Sequence, residues 1–326
     1  MIRIKGNKRL IRLAAMGLLC LLALGVTSCG GAYETESETL PPVVETVAYP
    51  VGGIEEMWQI GAGEINSDFA VICERGELTA VAGRRATERM YPASMTKLMT
   101  FIVAYERAED LSALIEVTKA LKNQYPEGSR VGIDVGDFLT VEQAMYAMIL
   151  SSDTDATLGL ALHVAGSEAA FVELMNAKAE EMGLTNTHFA NVTGLHAPDH
   201  YTTAVEMAAI LSHVVDIPLG KAILTTEQYV TYLKYFKNGV LTDYRMTFKN
   251  STLVGRFADN NIATTLSDGT TVLGGKTGFT DEADHCLATY AVTADGREFV
   301  LITGHASSGE NTARDAVKLY RAYAGE

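Results

Sequence analysis

The sequence is short of basic residues, of cysteine, and of any apolar run long enough to be read firmly as a membrane span. Its 326 residues carry 26 Lys and Arg against 40 Asp and Glu, a formal net charge of −14. So acidic a chain repels a polyanion, which sets nucleic acid aside as a partner. The four cysteines include no C-x-x-C pair, so neither a zinc knuckle nor a dithiol redox centre is expected. No H-E-x-x-H occurs either. "His196-Ala-Pro-Asp-His200" has ligand-like spacing but contains a proline in a loop, and no metal is expected there. A phosphate loop is missing by one residue: "GGKTG" around Lys276 has Thr270 where G-x-x-x-x-G-K-[ST] requires glycine, with Gly269 one place early. There is no internal repeat.

The N-terminus holds what apolar length there is. Arg3, Lys5, Lys8, Arg9 and Arg12 precede a run from Leu13 to Val26 with no acidic residue between. A basic segment followed by a short apolar one is an export signal, and this run is short for a bilayer. "Val26-Thr27-Ser28-Cys29" resembles a bacterial lipobox, whose cysteine is lipidated after cleavage. An uncleaved anchor or an ordinary signal peptide containing a cysteine are the alternatives. The expectation is a signal peptide at 1–28, lipidation of Cys29, and an extracytoplasmic protein anchored to the membrane by that lipid. Removing 1–28 leaves 21 Lys and Arg against 40 Asp and Glu, a net charge of −19. Residues 29–63, acidic and rich in Thr, Gly and Pro, read as a flexible tether. Cys73 and Cys286 then remain, each in a strand-like run, either as a disulfide or as two buried thiols.

From about residue 64 the texture is that of a folded domain, 64–326. "FAVICERGELTAVAG" predicts strands near 69–74 and 77–82, and a helix follows from about Ser94 to Arg107. The stretch 139–215 is helical in character, the core of a lobe expected over about 110–215. The Tyr- and Lys-rich "EQYVTYLKYFKNG" within 216–270 yields no role. Strands return near 271–276, in "HCLATYAVTADG" and "REFVLITGHA", before a last helix near 311–324. Strands at both ends around a helical block predict an α+β fold: an antiparallel sheet assembled from both termini with helices packed on it, an inserted all-helical lobe, and a site in the cleft between them.

Three short stretches carry chemistry. "YPASMTKLMT" places Ser94 three residues before Lys97 at a helix start, "ILSSDTDATLGLA" places Ser152 between two helices, and "VLGGKTGFTDEADHCLATYA" ends a strand with Lys276-Thr277-Gly278. On a helix, positions i and i+3 are neighbours, so the Lys97 amine can take the Ser94 hydroxyl proton. It does so near neutral pH only if burial or nearby positive charge lowers its pKa. Lys276 supplies such a charge and attracts an anionic substrate, and Ser152 can relay a proton to a leaving amine. The plainer readings are an N-cap at Ser94 and a polar helix start at Ser152. Glu173 and Asn176, three residues apart on one helix, read as structural.

S-x-x-K, S-D-N and K-T-G together mark class A β-lactamases and penicillin-binding proteins. With "GDFLTVEQAMYAMILSS" and "FVELMNAKAEEMGLTNTHFANVTGLHAPDHYTTAVEMA", the chain over about 64–325 resembles the serine-type D-Ala-D-Ala carboxypeptidases, low-molecular-mass penicillin-binding proteins of peptidase family S11. The resemblance implies the β-lactamase/transpeptidase-like fold, no cofactor, and a peptidoglycan stem peptide as substrate. It also implies acylation by β-lactams. Ser94 would be the nucleophile and Lys97 its base, with Ser152 in the second motif. Lys276 and Thr277 of the Lys276-Thr277-Gly278 motif would hold the substrate carboxylate, and the backbone N–H groups of Ser94 and Phe279 would form the oxyanion hole. Thr154 stands where the family has asparagine, whose amide can bond lysine and substrate at once. Many relatives also carry a β-rich domain and an amphipathic membrane helix at the C-terminus; here the expected anchor is at the other end. The competing readings are a β-lactamase and a non-catalytic lipoprotein that binds β-lactam or peptidoglycan.

Overall fold

The computed structural model describes residues 51–325; the signal segment and Cys29 lie outside them. Strands β1 (Trp58–Gln59), β2 (Phe69–Glu74), β3 (Thr79–Arg84) and β4 (Arg89–Met90) lead to a 3-10 turn (Ala93–Thr96) and helix α1 (Lys97–Arg107). Next come β5 (Leu114–Glu116), α2 (Lys119–Gln124), β6 (Asp137–Thr140), α3 (Val141–Ser151), α4 (Thr154–Ala165) and α5 (Glu168–Glu181). After β7 (Thr202–Thr203), α6 (Ala204–Asp216) and α7 (Pro218–Thr225), a hairpin of β8 (Gln228–Lys237) and β9 (Val240–Lys249) runs into a π-helical turn (Ser251–Phe257). Strands β10 (Thr271–Thr280), β11 (Asp284–Val292) and β12 (Glu298–Ala306) precede α8 (Gly309–Tyr323).

The main sheet has six strands in the order β1-β3-β2-β12-β11-β10, so both chain ends build it. All neighbours are antiparallel except β1, which runs parallel to β3. Period-two alternation sends successive side chains of β2 to opposite faces. Phe69, Val71 and Cys73 join the core shared with the helical lobe, whereas Ala70 and Ile72 meet α8. That helix presents Ala313, Ala316, Leu319 and Tyr320 at helical spacing. Each large apolar side chain so buried contributes about 1.5–3 kcal/mol. Helix α6 lies between sheet and lobe, which is why Met207, Ala208, Ala209, Ile210 and Leu211 are all buried.

Two expectations need correction. Residues 51–63 were expected in a tether, but Gly52 N–H donates to Leu78 O, Ile60 N–H donates to Gly83 O, and Trp58 and Gln59 pair with Ala82 and Gly83. Backbone hydrogen bonds hold this segment, so its polar composition gave no sign of it. The lobe is also not wholly helical. Within it β5 and β6 form a four-stranded sheet with the β8–β9 hairpin, which turns at Asn238-Gly239, both at positive φ. A capping box at Thr140 and Gln143 starts α3, and Gln143 Nε2 donates to Thr231 Oγ1 and Tyr232 O, tying the hairpin to the lobe. Cys73 and Cys286 are two buried free thiols.

Candidate active site

Ser94 sits in the 3-10 turn immediately before α1, not at a helix cap. Its turn follows Ala93, whose φ of 46° is a left-handed conformation that side chains adopt only at a cost. The tight turn and the first turn of α1 bring Lys97 Nζ to 2.9 Å from Ser94 Oγ. The same amine donates to the Thr193 carbonyl at 2.7 Å, which fixes its direction. Lys97 is 1% exposed, and burial lowers its pKa to about 7 against the opposing pull of the Asp153 carboxylate. A substantial fraction of it is therefore neutral near neutral pH, with a lone pair available beside a serine hydroxyl.

A second serine–lysine pair adjoins the first. Ser152, also left-handed with φ 58° and ψ 28°, closes α3, while Asp153 caps α4 by accepting from Ala156 N at 2.8 Å. This reversal aims the Ser152 hydroxyl at the edge strand β10, where Lys276 Nζ donates to it at 3.0 Å and to Thr277 O at 2.8 Å. Lys276 is wholly buried, and its pKa is depressed by burial first, then by the charges of Lys97 and Arg256. Thr277 Oγ1 lies 2.9 Å from Ser251 Oγ on the π-helical turn. Glycines let β10 run this close to its neighbours. At Gly274 a Cβ would overlap the Leu224 carbonyl of α7, and at Gly278 it would sit 3.0 Å from Pro92 O. Phe279, 51% exposed at the outer end of β10, packs its ring 4.5 Å from that of His285.

Thr154 behaves otherwise. Its N–H donates to Ser129 O at 2.9 Å, and its side chain packs beneath the loop at Gly128, where a Cβ would be 2.5 Å from Thr154 Oγ1. Lys97 is held by Ser94 and Thr193, so an asparagine amide at 154 is not needed to hold it. Two contributors escape a reading by residue type. One is the Thr193 carbonyl. The other is Asn191, whose Oδ1 accepts from Thr193 N, Thr193 Oγ1 and Gly194 N while Nδ2 donates to Leu195 O. Glu173 and Asn176 stay apart from the cleft residues, Asn176 pairing with the Phe189 backbone in both directions. His200 is buried against Thr96 Oγ1 at 2.7 Å.

An edge strand bearing Lys-Thr-Gly, a serine–lysine pair opening a helix, and a serine at an inter-helix reversal define a serine–lysine site of the β-lactamase/transpeptidase kind. The chain belongs to the D-alanyl-D-alanine carboxypeptidase family, peptidase S11, whose profile it matches over residues 56–307. It is 30% identical over 248 residues to the D-alanyl-D-alanine carboxypeptidase DacF of Bacillus subtilis, covering 75% of this chain and 59% of that one. It is 33% identical over 207 residues to a D-alanyl-D-alanine endopeptidase of Escherichia coli, covering 61% of this chain and 59% of that one. Its fold is similar to the crystal structure of the Streptomyces K15 DD-transpeptidase, with a TM-score of 0.71, 25% identity, and coverage of 80% of this chain and 98% of that one. The chain thus spans about three fifths of the length of these curated relatives.

Proposed function

We propose that this chain is an exported serine-type D-Ala-D-Ala carboxypeptidase that trims the terminal D-Ala from peptidoglycan stem peptides. Ser94 Oγ attacks the penultimate D-Ala carbonyl as Lys97 takes its proton. The oxyanion forms toward the backbone N–H groups of Ser94 and Phe279, a preorganised electrostatic stabilisation. Collapse breaks the peptide bond, and the proton taken up by Lys97 passes through the Ser152 hydroxyl, held by Lys276, to the departing D-Ala nitrogen. Water then hydrolyses the Ser94 ester. A β-lactam enters by the same attack, its ring nitrogen in place of the leaving amine. The observation that carries this reading is the 2.9 Å contact between Ser94 and a buried lysine with a pKa of about 7.

The test is a fluorescent penicillin on the purified chain, beside release of D-Ala from a stem pentapeptide. Ser94→Ala is expected to abolish both; labelling that survives the change removes Ser94 as nucleophile. Hydrolysis of a cross-linked dimer is a second reading, favoured by the identity to the E. coli endopeptidase. Cross-linked and free pentapeptide substrates compared side by side separate the two. We place the protein outside the cytoplasm, cleaved after residue 28 and held to the membrane by a lipid on Cys29, with 64–326 containing the catalytic residues. Release from the membrane fraction on Cys29→Ala supports that anchor, and unchanged retention rejects it.

A further inference from the structure

The β8–β9 hairpin holds more apolar side chain in solvent than a folded lobe requires. Residues paired across an antiparallel ladder share a face. Val230, Tyr232, Lys234 and Phe236 therefore lie on one side of the sheet, with Thr247, Arg245, Asp243 and Leu241 opposite them. The other side is the anchored one: Leu233 and Phe248 are buried, and Tyr229 stacks on Tyr146 of α3 at 3.8 Å. On the outer side Val230, Tyr232, Phe236 and Leu241 are exposed, Phe236 by 60%, and Val240 at the turn is 65% exposed. Phe138 of β6 extends this surface, its ring 5.7 Å from that of Phe236, and the exposed Val135 lines the same groove as both. A contiguous apolar patch on a folded domain marks a contact surface.

Charge identifies what the patch meets. Residues 228–249 carry Lys234, Lys237, Arg245 and Lys249 against Asp243 alone, in a chain of net charge −14. Asp243 is taken up by Lys234 at 3.0 Å. Glu116 and Asp134 border the groove, Asp134 paired with Lys122 at 3.8 Å. Cations interleaved with aromatic and aliphatic side chains suit an anionic bilayer, where rings sit at headgroup level and each Lys or Arg gains from the negative surface. A sugar strand fits less well, because Val240 and Leu241 offer it no hydrogen bond. A second copy fits less well too, since β9 is the edge strand and its Arg245 and Lys249 are the kind of charge that deters edge pairing. The hairpin is also long: β9 runs about 30 Å from Val240 to Lys249. At its base the Lys249 carbonyl accepts from Ser151 Oγ, next to Ser152. The 21 residues between Cys29 and Val51 reach at most about 70 Å. We propose that the exposed face and turn of the β8–β9 hairpin dock on an anionic lipid bilayer, with the catalytic cleft at the opposite end of the hairpin. This rests on the membrane placement above, but the contact itself needs no lipid on the chain.

Vesicle flotation of the mature chain, 29–326, tests this, with Cys29→Ala so that no acyl group contributes. The chain is expected to bind vesicles of equal phosphatidylglycerol and phosphatidylcholine at least about 10-fold more tightly than phosphatidylcholine alone, and to release them as salt rises. Phe236→Ser with Leu241→Ser is expected to weaken binding to the anionic vesicles by at least about 10-fold. Lys237→Glu with Arg245→Glu is expected to do the same through charge, by at least about 10-fold at low salt. Both pairs keep the far-ultraviolet circular dichroism and the penicillin-labelling rate of the parent chain, which shows that they fold. Equal binding to anionic and neutral vesicles, or variants that bind as the parent does, overturns the proposal. A dimer in sedimentation velocity that the variants abolish, with vesicle binding unchanged, assigns the patch to a second copy and overturns it too. Variants that lose isolated peptidoglycan but keep the vesicles assign it to glycan, with the same result. Should the Phe236 pair fail to fold, the charge-reversal pair carries the comparison. Membrane retention of the full chain with Cys29→Ala is read separately, so loss of the lipid-anchor reading and loss of the hairpin contact are told apart.

Discussion

Replacing Lys97 by methionine separates the cost of burying an amine from the work that amine does. The lysine is 1% exposed, and its pKa falls from 10.5 to about 7 on folding. Between those values the unfolded chain binds more protons than the folded one, so stability rises with pH across that window. The burial cost is present in full below pH 7 and is relieved as pH climbs toward 10.5. A shift of about 3.5 units corresponds to about 5 kcal/mol, of which about 4 is recovered between pH 6 and pH 10. Methionine escapes that cost but gives up the contacts to Ser94 and Thr193, about 1 kcal/mol each. Lys97→Met is thus expected to be more stable than the wild type by about 2–3 kcal/mol at pH 6 and less stable by about 1 kcal/mol at pH 10. Relief of Lys276, which the Lys97 charge helps to depress, adds to the gain on the acid side. Urea unfolding of both proteins at pH 6, 8 and 10 reads the margin directly, and penicillin labelling should be lost throughout. A margin that does not move with pH would refute the reasoning, because it would mean that Lys97 is not desolvated in the folded chain.

Asn191→Ala removes four hydrogen bonds that hold the Thr193 carbonyl against Lys97, and should slow penicillin acylation by about 10- to 100-fold while costing about 2–3 kcal/mol of stability. An acylation rate within twofold of wild type would show that the carbonyl does not orient the base. Thr154→Val keeps the shape packed under Gly128 and loses only the hydroxyl, so acylation should stay within about threefold of wild type. A tenfold drop would assign that hydroxyl a part in the reaction. Burial pushes the Cys73 and Cys286 thiols up to about 12, so maleimide should label neither until the chain is denatured, and gel mobility should not depend on reductant.

What could be read from residues alone follows from which interactions carry a residue signature. Ser94 and Lys97 were legible because a helix fixes what three residues of spacing mean, and the strands at both ends because β2, β11 and β12 are continuous apolar runs. Strands β5 and β6 were not, since three or four residues show no period. Asn238-Gly239 is a strong hairpin signal, yet the mixed tyrosines and lysines around it hide which face is buried. The Thr193 carbonyl was invisible because every residue has one. Its trace is the Asn191-Val192-Thr193-Gly194 sequence, in which an asparagine side chain replaces backbone partners in a turn. Arg256 lay furthest from reach. A π-helical turn has no sequence pattern, and the reason for glycine at 309 is a guanidinium from another element. That the guanidinium occupies the space a side chain at 309 would need came into view only in the fold. The same holds for Thr154. In sequence it is a missing asparagine, whereas in the fold its side chain faces Gly128 and the lysine that the asparagine would hold already has its partners.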